Sequence, residues 1–106
     1  MIELTKETFG DEVLQAPGLV FVDFYGDGCA PCAALRPCVD ELAKKYANSF
    51  KFTALNTSKA RRLAIGQKVL GIPVLAVYKD GNKIRELVGD DATAEKLDAL
   101  LREISE

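Results

Sequence analysis

Hydrophobic residues divide the chain into short β-type runs that alternate with helical stretches. Runs rich in β-branched or aromatic residues predict strands at 1–4, 19–25, 50–56 and 74–78, and Asp80-Gly81 predicts a hairpin turn into a fifth strand at 83–88. Apolar residues at three- and four-residue spacing predict helices at 5–14, 31–46 and 59–67 and after residue 93, capped in part by Thr5, Ser58 and Thr93. This order predicts an α/β fold, with a central mixed β-sheet flanked by helices on both faces.

Length and charge limit the classes of protein to consider. The 106 residues can bury a core of their own, so we expect a single domain over residues 1–106. The 14 basic and 16 acidic residues give a net charge of −2, which gives no reason to expect nucleic acid or an anionic membrane as a partner. The N-terminus lacks a signal-peptide pattern and no apolar run could span a bilayer, so we expect a cytoplasmic protein.

The motif Cys29-Ala30-Pro31-Cys32 lies between the strand at 19–25 and the helix that follows it. This position puts the first thiol at a helix N-terminus, where the helix dipole and unpaired N–H groups favour a thiolate. Two intervening residues let both sulfurs meet, so the pair can cycle between dithiol and disulfide. Pro31 suits the first helical turn, where no N–H is needed. The chain has three cysteines and no histidine, so we expect neither a metal nor another cofactor.

Two further residues have a structural and a functional interpretation. Cys38 lies on the apolar stripe of the helix at 31–46, about 13 Å along the helix from Cys29, so we expect a core residue rather than a redox partner. Asp23 lies in a strongly apolar strand, where burial should raise its pKa. It is either a hydrogen-bonded structural residue or a proton acceptor.

With this order of elements, the chain resembles the thioredoxin family over essentially its whole length. Val22-Asp23-Phe24-Tyr25 resembles the end of the family's central strand, and Pro37 falls at its helix-kinking proline. Gly71-Ile72-Pro73 matches the segment whose cis-proline faces the disulfide, and Val88-Gly89 resembles the glycine beside the site. The Gly-Cys-x-Pro-Cys form is similar to thioredoxins of some anaerobic bacteria.

The resemblance implies a thioredoxin fold and a protein disulfide reductase. It implies that Cys29 attacks the substrate, that Cys32 resolves the mixed disulfide and that Asp23 accepts the Cys32 proton, through water. It implies re-reduction by a flavin-dependent thioredoxin reductase fed by NADPH or by ferredoxin. The residues expected to contact substrates and partners are Gly28, Ala30, Pro31, Gly71, Ile72, Pro73, Val88 and Gly89.

Four positions depart from the family's pattern. Gly28 and Tyr25 replace two tryptophans, and Ala30 replaces the motif's glycine. Ala54 stands where the family has a buried lysine, so we expect Asp23 to have no cation that offsets its desolvation.

Two other functions remain open from the sequence. An oxidase or isomerase would use the same motif but would need an oxidising compartment. A non-catalytic subunit with this fold would only dock on a partner and would not need both thiols. A basic stretch is expected to be a solvated face, or else a docking surface for an acidic electron donor; it comprises Lys59, Arg61, Arg62 and Lys68.

Overall fold

The computed structural model describes residues 1–106 and contains one five-stranded mixed β-sheet. Its strands are β1 (Ile2–Leu4), β2 (Leu19–Tyr25), β3 (Lys51–Asn56), β4 (Val74–Lys79) and β5 (Asn82–Val88). They lie side by side in the order β1-β3-β2-β4-β5. The first three are parallel, whereas β4 runs antiparallel to β2 and to β5. The predicted mixed sheet is therefore confirmed.

Helical segments cover both faces of the sheet. The α-helices are α1 (Ala30–Lys45), α2 (Arg61–Gly66) and α3 (Ala94–Ser105), and a short π-helix covers Gly10–Leu14. The π-helix and α2 pack with one core cluster, whereas α1 and α3 pack with a second cluster on the other face. This arrangement confirms the prediction of helices on both faces. None of these helices combines the length and the apolar character needed to cross a bilayer.

The alternation of side chains along β2 decides what lies near the cysteines. Val20, Val22 and Phe24 belong to the first core cluster, on the α2 face. Phe21 belongs to the second cluster, so Asp23, two residues later, also points toward α1. The helix α1, which begins at the cysteine motif, and the Asp23 carboxylate therefore lie on the same face of the sheet.

Two predicted helices differ from the observed ones. The segment predicted as one helix over 5–14 forms a turn and then a π-helix, in which the Gln15 N–H donates to the Gly10 carbonyl at 2.9 Å. Gly10 is a weak helix former and allows this wider turn. The predicted helix at 59–67 is a 3₁₀ turn at Thr57–Lys59 followed by α2. Ser58 does not cap α2, because its hydroxyl accepts a hydrogen bond from the Asp27 N–H instead.

The prediction that Cys38 is a core residue is wrong. Its free thiol is exposed, whereas Cys32, Val39 and Leu42 are the buried residues of α1. At 100° per residue, position 38 lies roughly 80° from the middle of the buried stripe. A thiol at the border of the stripe therefore faces solvent although its sequence spacing fits the stripe.

Candidate active site

The two motif cysteines form a disulfide at the N-terminus of α1. Cys29 and Cys32 are bonded, with their Cα atoms 5.3 Å apart. Cys29 is the N-cap residue, and its Sγ accepts a hydrogen bond from the Cys32 N–H at 3.2 Å. Cys29 is partly exposed, whereas Cys32 is only 5% exposed. An incoming substrate therefore reaches the Cys29 sulfur more easily than the Cys32 sulfur.

The loop before Cys29 is anchored to the connection between β3 and α2. The Asp27 N–H donates to Ser58 Oγ at 2.9 Å, and Asn56 Nδ2 donates to Asp27 Oδ1 at 3.0 Å. The Thr57 hydroxyl donates to the Tyr25 carbonyl at 2.8 Å. These bonds fix the path of the chain from β2 into the disulfide, and they explain why the Ser58 hydroxyl does not cap α2.

The Gly71-Ile72-Pro73 segment packs beside this loop, and the Ile72–Pro73 peptide bond is cis. A Cβ atom at the buried Gly26 would lie 2.6 Å from Cδ1 of Ile72, so the Ile72 side chain covers that glycine closely. The Gly89 N–H donates to the Pro73 carbonyl at 3.3 Å. Three segments that are distant in sequence thus meet at one end of the sheet.

A groove of about 600 Å³ opens beside the disulfide. It is lined by nine residues: Tyr25, Gly26, Asp27, Gly28, Cys29, Ala30, Cys32, Ala33 and Arg36. Of the predicted contact residues, Gly28 and Ala30 lie in this groove, and Gly28 has a φ of +71°, where glycine is favoured. Pro31 and Val88 are exposed, and Gly71 and Ile72 line a separate cavity of about 370 Å³.

The expectation that Asp23 has no cation is wrong. Arg36 on α1 places its Nε 3.3 Å from Asp23 Oδ2. Asp23 is 2% exposed, and burial raises its pKa from 3.8 to about 6, partly offset by the Arg36 charge. Sequence reasoning missed Arg36, although it follows Cys32 by one helical turn and so lies on the same side of α1.

Comparisons with known proteins agree with this geometry. A sequence model of the family described as Thioredoxin matches residues 1–103. The thioredoxin of Acetoanaerobium sticklandii is 54% identical over 102 residues, which cover 96% of this chain and 97% of the relative. The thioredoxin of Peptoclostridium acidaminophilum is 52% identical over 101 residues, which cover 95% of this chain and 92% of the relative. Thioredoxin 1 of Synechococcus elongatus is 36% identical over 86 residues, which cover 81% of this chain and 80% of the relative.

A disulfide at a helix N-terminus, on a mixed sheet with helices on both faces, defines a thiol–disulfide oxidoreductase. The chain belongs to the thioredoxin family. Its Cys29–Cys32 pair is the redox-active disulfide of a protein disulfide reductase.

Proposed function

We propose that Cys29 is the attacking thiol, Cys32 the resolving thiol and Asp23 the proton acceptor in the reduction of protein disulfides. The observation that carries the two cysteine roles is the position of Cys29 as the partly exposed N-cap of α1, with Cys32 buried behind it. The buried Asp23 carboxylate, on the face of the sheet that α1 covers, supports the third role. A sulfur at this place meets the positive end of the helix dipole, which stabilises a thiolate.

The reaction then proceeds in two exchanges of sulfur. The Cys29 thiolate attacks one sulfur of the substrate disulfide, a mixed disulfide forms and the first substrate thiolate leaves and takes a proton from water. Cys32 then gives its proton to Asp23 through water and attacks the Cys29 sulfur. The Cys29–Cys32 bond forms and the second substrate thiolate leaves, so two electrons have passed from the protein to the substrate.

Predicted contact residues surround this chemistry. We propose that Gly28, Ala30 and Pro31 contact the substrate on one side of the Cys29 sulfur. On the other side, we propose that the backbone of Gly71-Ile72-Pro73, together with Val88 and Gly89, contacts the substrate chain. The hydrogen bond from Gly89 to Pro73 supports this grouping, because it holds the two segments together at the same end of the sheet as the disulfide.

The oxidised protein must regain two electrons after each turnover. We propose a flavin-dependent thioredoxin reductase, fed by NADPH or by ferredoxin, as the donor, and the cytoplasm as the compartment, because reducing surroundings keep substrate thiols reduced. Family membership supports a reductase as partner. Reduction of the purified protein by reductase fractions supplied with either donor would identify the electron source, and cell fractionation would test the location.

Trapping of mixed disulfides tests the assignment of the two cysteines. Because the third thiol, Cys38, is exposed, all variants should carry Cys38→Ser. Cys32→Ser should accumulate mixed disulfides with substrate proteins in a lysate, whereas Cys29→Ser, its matched control, should trap none and should reduce no insulin disulfides. Equal trapping by both variants would show that the roles of attacker and resolver are assigned wrongly.

A further inference from the structure

Asp23 depends on one side chain for its charge neutralisation. Its neighbours across the sheet are Ala54 on β3 and Leu75 on β4, both apolar. The carboxylate makes a single ion pair, with Arg36, whose side chain is 33% exposed. The Arg36 guanidinium is therefore the only cation that compensates the buried Asp23 charge.

Contacts with Asp23 and with the Tyr25 ring hold the Arg36 side chain in place. The guanidinium lies over the Tyr25 ring, with Cζ 4.7 Å from the ring centroid, and the Tyr25 hydroxyl donates to Glu3 Oε2 at 2.6 Å. Arg36 also lines the groove that contains Cys29 and Cys32, whereas Asp23 does not reach it. One side chain thus contacts the buried carboxylate and borders the redox groove.

Building on the proposed function, we propose that Arg36 is a positioning residue of the reduction. It holds the Asp23 carboxylate and stabilises its negative charge where Cys32 loses its proton. An arginine on the motif helix would thereby supply the positive charge that Ala54 does not supply from β3.

Among the charged groups around Asp23, Arg36 determines how readily the carboxyl ionises. Burial disfavours the carboxylate, and Glu3 on β1 and Asp40 on α1 add repulsion, so Arg36 is the one group that favours ionisation. With Arg36 in place the pKa of Asp23 is about 6, and most molecules carry the ionised base near neutral pH. Without it, a larger fraction would be protonated and unable to accept a proton.

The test compares Arg36→Gln and Arg36→Lys with Asp23→Asn, all in a Cys38→Ser background. The matched control is Arg102→Gln, the same change at an exposed arginine that pairs with Asp98 at 3.5 Å on α3. Carbon NMR of the Asp23 carboxyl gives its titration midpoint in the oxidised protein. Reaction of the reduced protein with an aromatic disulfide reagent releases two coloured thiolates, and the second release reports attack by Cys32.

We expect Arg36→Gln to raise the Asp23 midpoint by about one unit or more, and Arg36→Lys to return it toward the parent value. The second release should slow about twofold or more at pH 7 in Arg36→Gln, because a smaller fraction of Asp23 is ionised. The rate should recover at pH 9, and its pH profile should show the same displaced midpoint. Arg102→Gln should leave both measurements unchanged. Asp23→Asn should slow the second release at pH 7, where Asp23 of the parent is mostly ionised, and should make little difference at pH 4.

An unchanged Asp23 midpoint in Arg36→Gln would overturn the inference. So would a displaced midpoint with an undisplaced rate profile, provided that Asp23→Asn is slow, and in that case the proposed function would stand. A fast second release in Asp23→Asn would instead remove the role of Asp23 as proton acceptor and, with it, the role of Arg36. If Arg36→Gln does not fold, Arg36→Met takes its place, because methionine keeps an apolar stem without the charge; a parent-like Asp23 midpoint in Arg36→Met would likewise overturn the inference.

Discussion

Arg36 Nε lies 3.3 Å from Asp23 Oδ2, so the one charged side chain in the centre of the sheet has a cation from the motif helix. The pair is unequal, because Asp23 is 2% exposed whereas a third of the Arg36 side chain reaches solvent. The arginine therefore keeps much of its hydration, and most of the desolvation falls on the carboxylate.

Asp23→Asn should raise the free energy of unfolding at pH 8 and change it little at pH 4. The pKa of Asp23 is about 6 in the folded protein against 3.8 for an ordinary aspartate, so the folded chain binds more protons between these values. Stability therefore falls as the pH rises from about 4 to 6 and stays lower above that window. The full effect is on the order of 3 kcal/mol.

Paired urea melts of parent and variant at pH 4, 5, 6 and 8 would measure this difference. The gain from Asp23→Asn should grow through the window and level off above it. An asparagine variant that is less stable at pH 8 would show that the ion pair with Arg36 outweighs the desolvation of Asp23.

Cys38→Ala should leave stability within about 0.5 kcal/mol of the parent, because the side chain is exposed. Disulfide reduction should also be unchanged, since the redox pair is Cys29 and Cys32. Thermal melts and insulin-reduction rates would check both expectations. Val39→Ala, at the neighbouring fully buried position, is the control and should destabilise by roughly 1–3 kcal/mol. A slow but well-folded Cys38→Ala protein would indicate that the third thiol takes part in turnover.

Gly26→Ala should reduce stability modestly and slow disulfide reduction. Its new Cβ would lie 2.6 Å from Ile72 Cδ1 and 3.1 Å from Ser58 Oγ, so the terminal methyl group of Ile72 must turn away from the loop before Cys29. Because the atom that must move is the end of a flexible side chain, the cost is on the order of 1 kcal/mol. Ile72→Val removes the clashing methyl group, so the double variant should regain part of both properties. Chemical denaturation and insulin reduction would show whether it does, and additive effects would mean that the two side chains do not compete for space.

Gly81→Ala should destabilise the fold by roughly 2 kcal/mol or more, because the new side chain adds both a severe clash and backbone strain. Disulfide reduction should not change. Gly81 has a φ of +86°, and an added Cβ would lie 2.1 Å from the Leu14 carbonyl oxygen. Gly18→Ala is the matched control, because its φ is +79° but nothing lies within 4 Å of its Cβ position. Both glycines are at the end of β2 and β4 opposite the disulfide. Equal losses in urea melts would mean that backbone strain, rather than the contact with Leu14, sets the effect.

The sheet could be predicted well because its strands carry local signals. The predicted bounds of β2 agree with the observed Leu19–Tyr25, and Asp80-Gly81 connects β4 to β5 as expected. Buried strands are apolar throughout, and turn residues separate them, so composition alone locates them.

The contacts that tune the site depend on tertiary packing and could not be predicted in this way. Arg36 reaches Asp23 only because β2 turns that residue toward α1, which the sequence of either element does not show. Cys38 satisfies the helical spacing but lies at the border of the buried stripe. Ser58 has the right chemistry for a helix cap, yet its hydroxyl accepts the Asp27 N–H from another segment.

The antiparallel pairing of β2 with β4 has a consequence for the newly made chain. Phe24 lies opposite Val74, and this register is what brings the Gly71-Ile72-Pro73 segment to the cysteines. During synthesis Cys29 and Cys32 are added to the chain before residue 74, so the two thiols are at first present without the segment proposed to contact substrates beside them. Under the proposed function, recognition of substrates is therefore acquired only when the long-range strand pair between β2 and β4 closes, and a truncated chain that lacks β4 would carry the two thiols without these contacts.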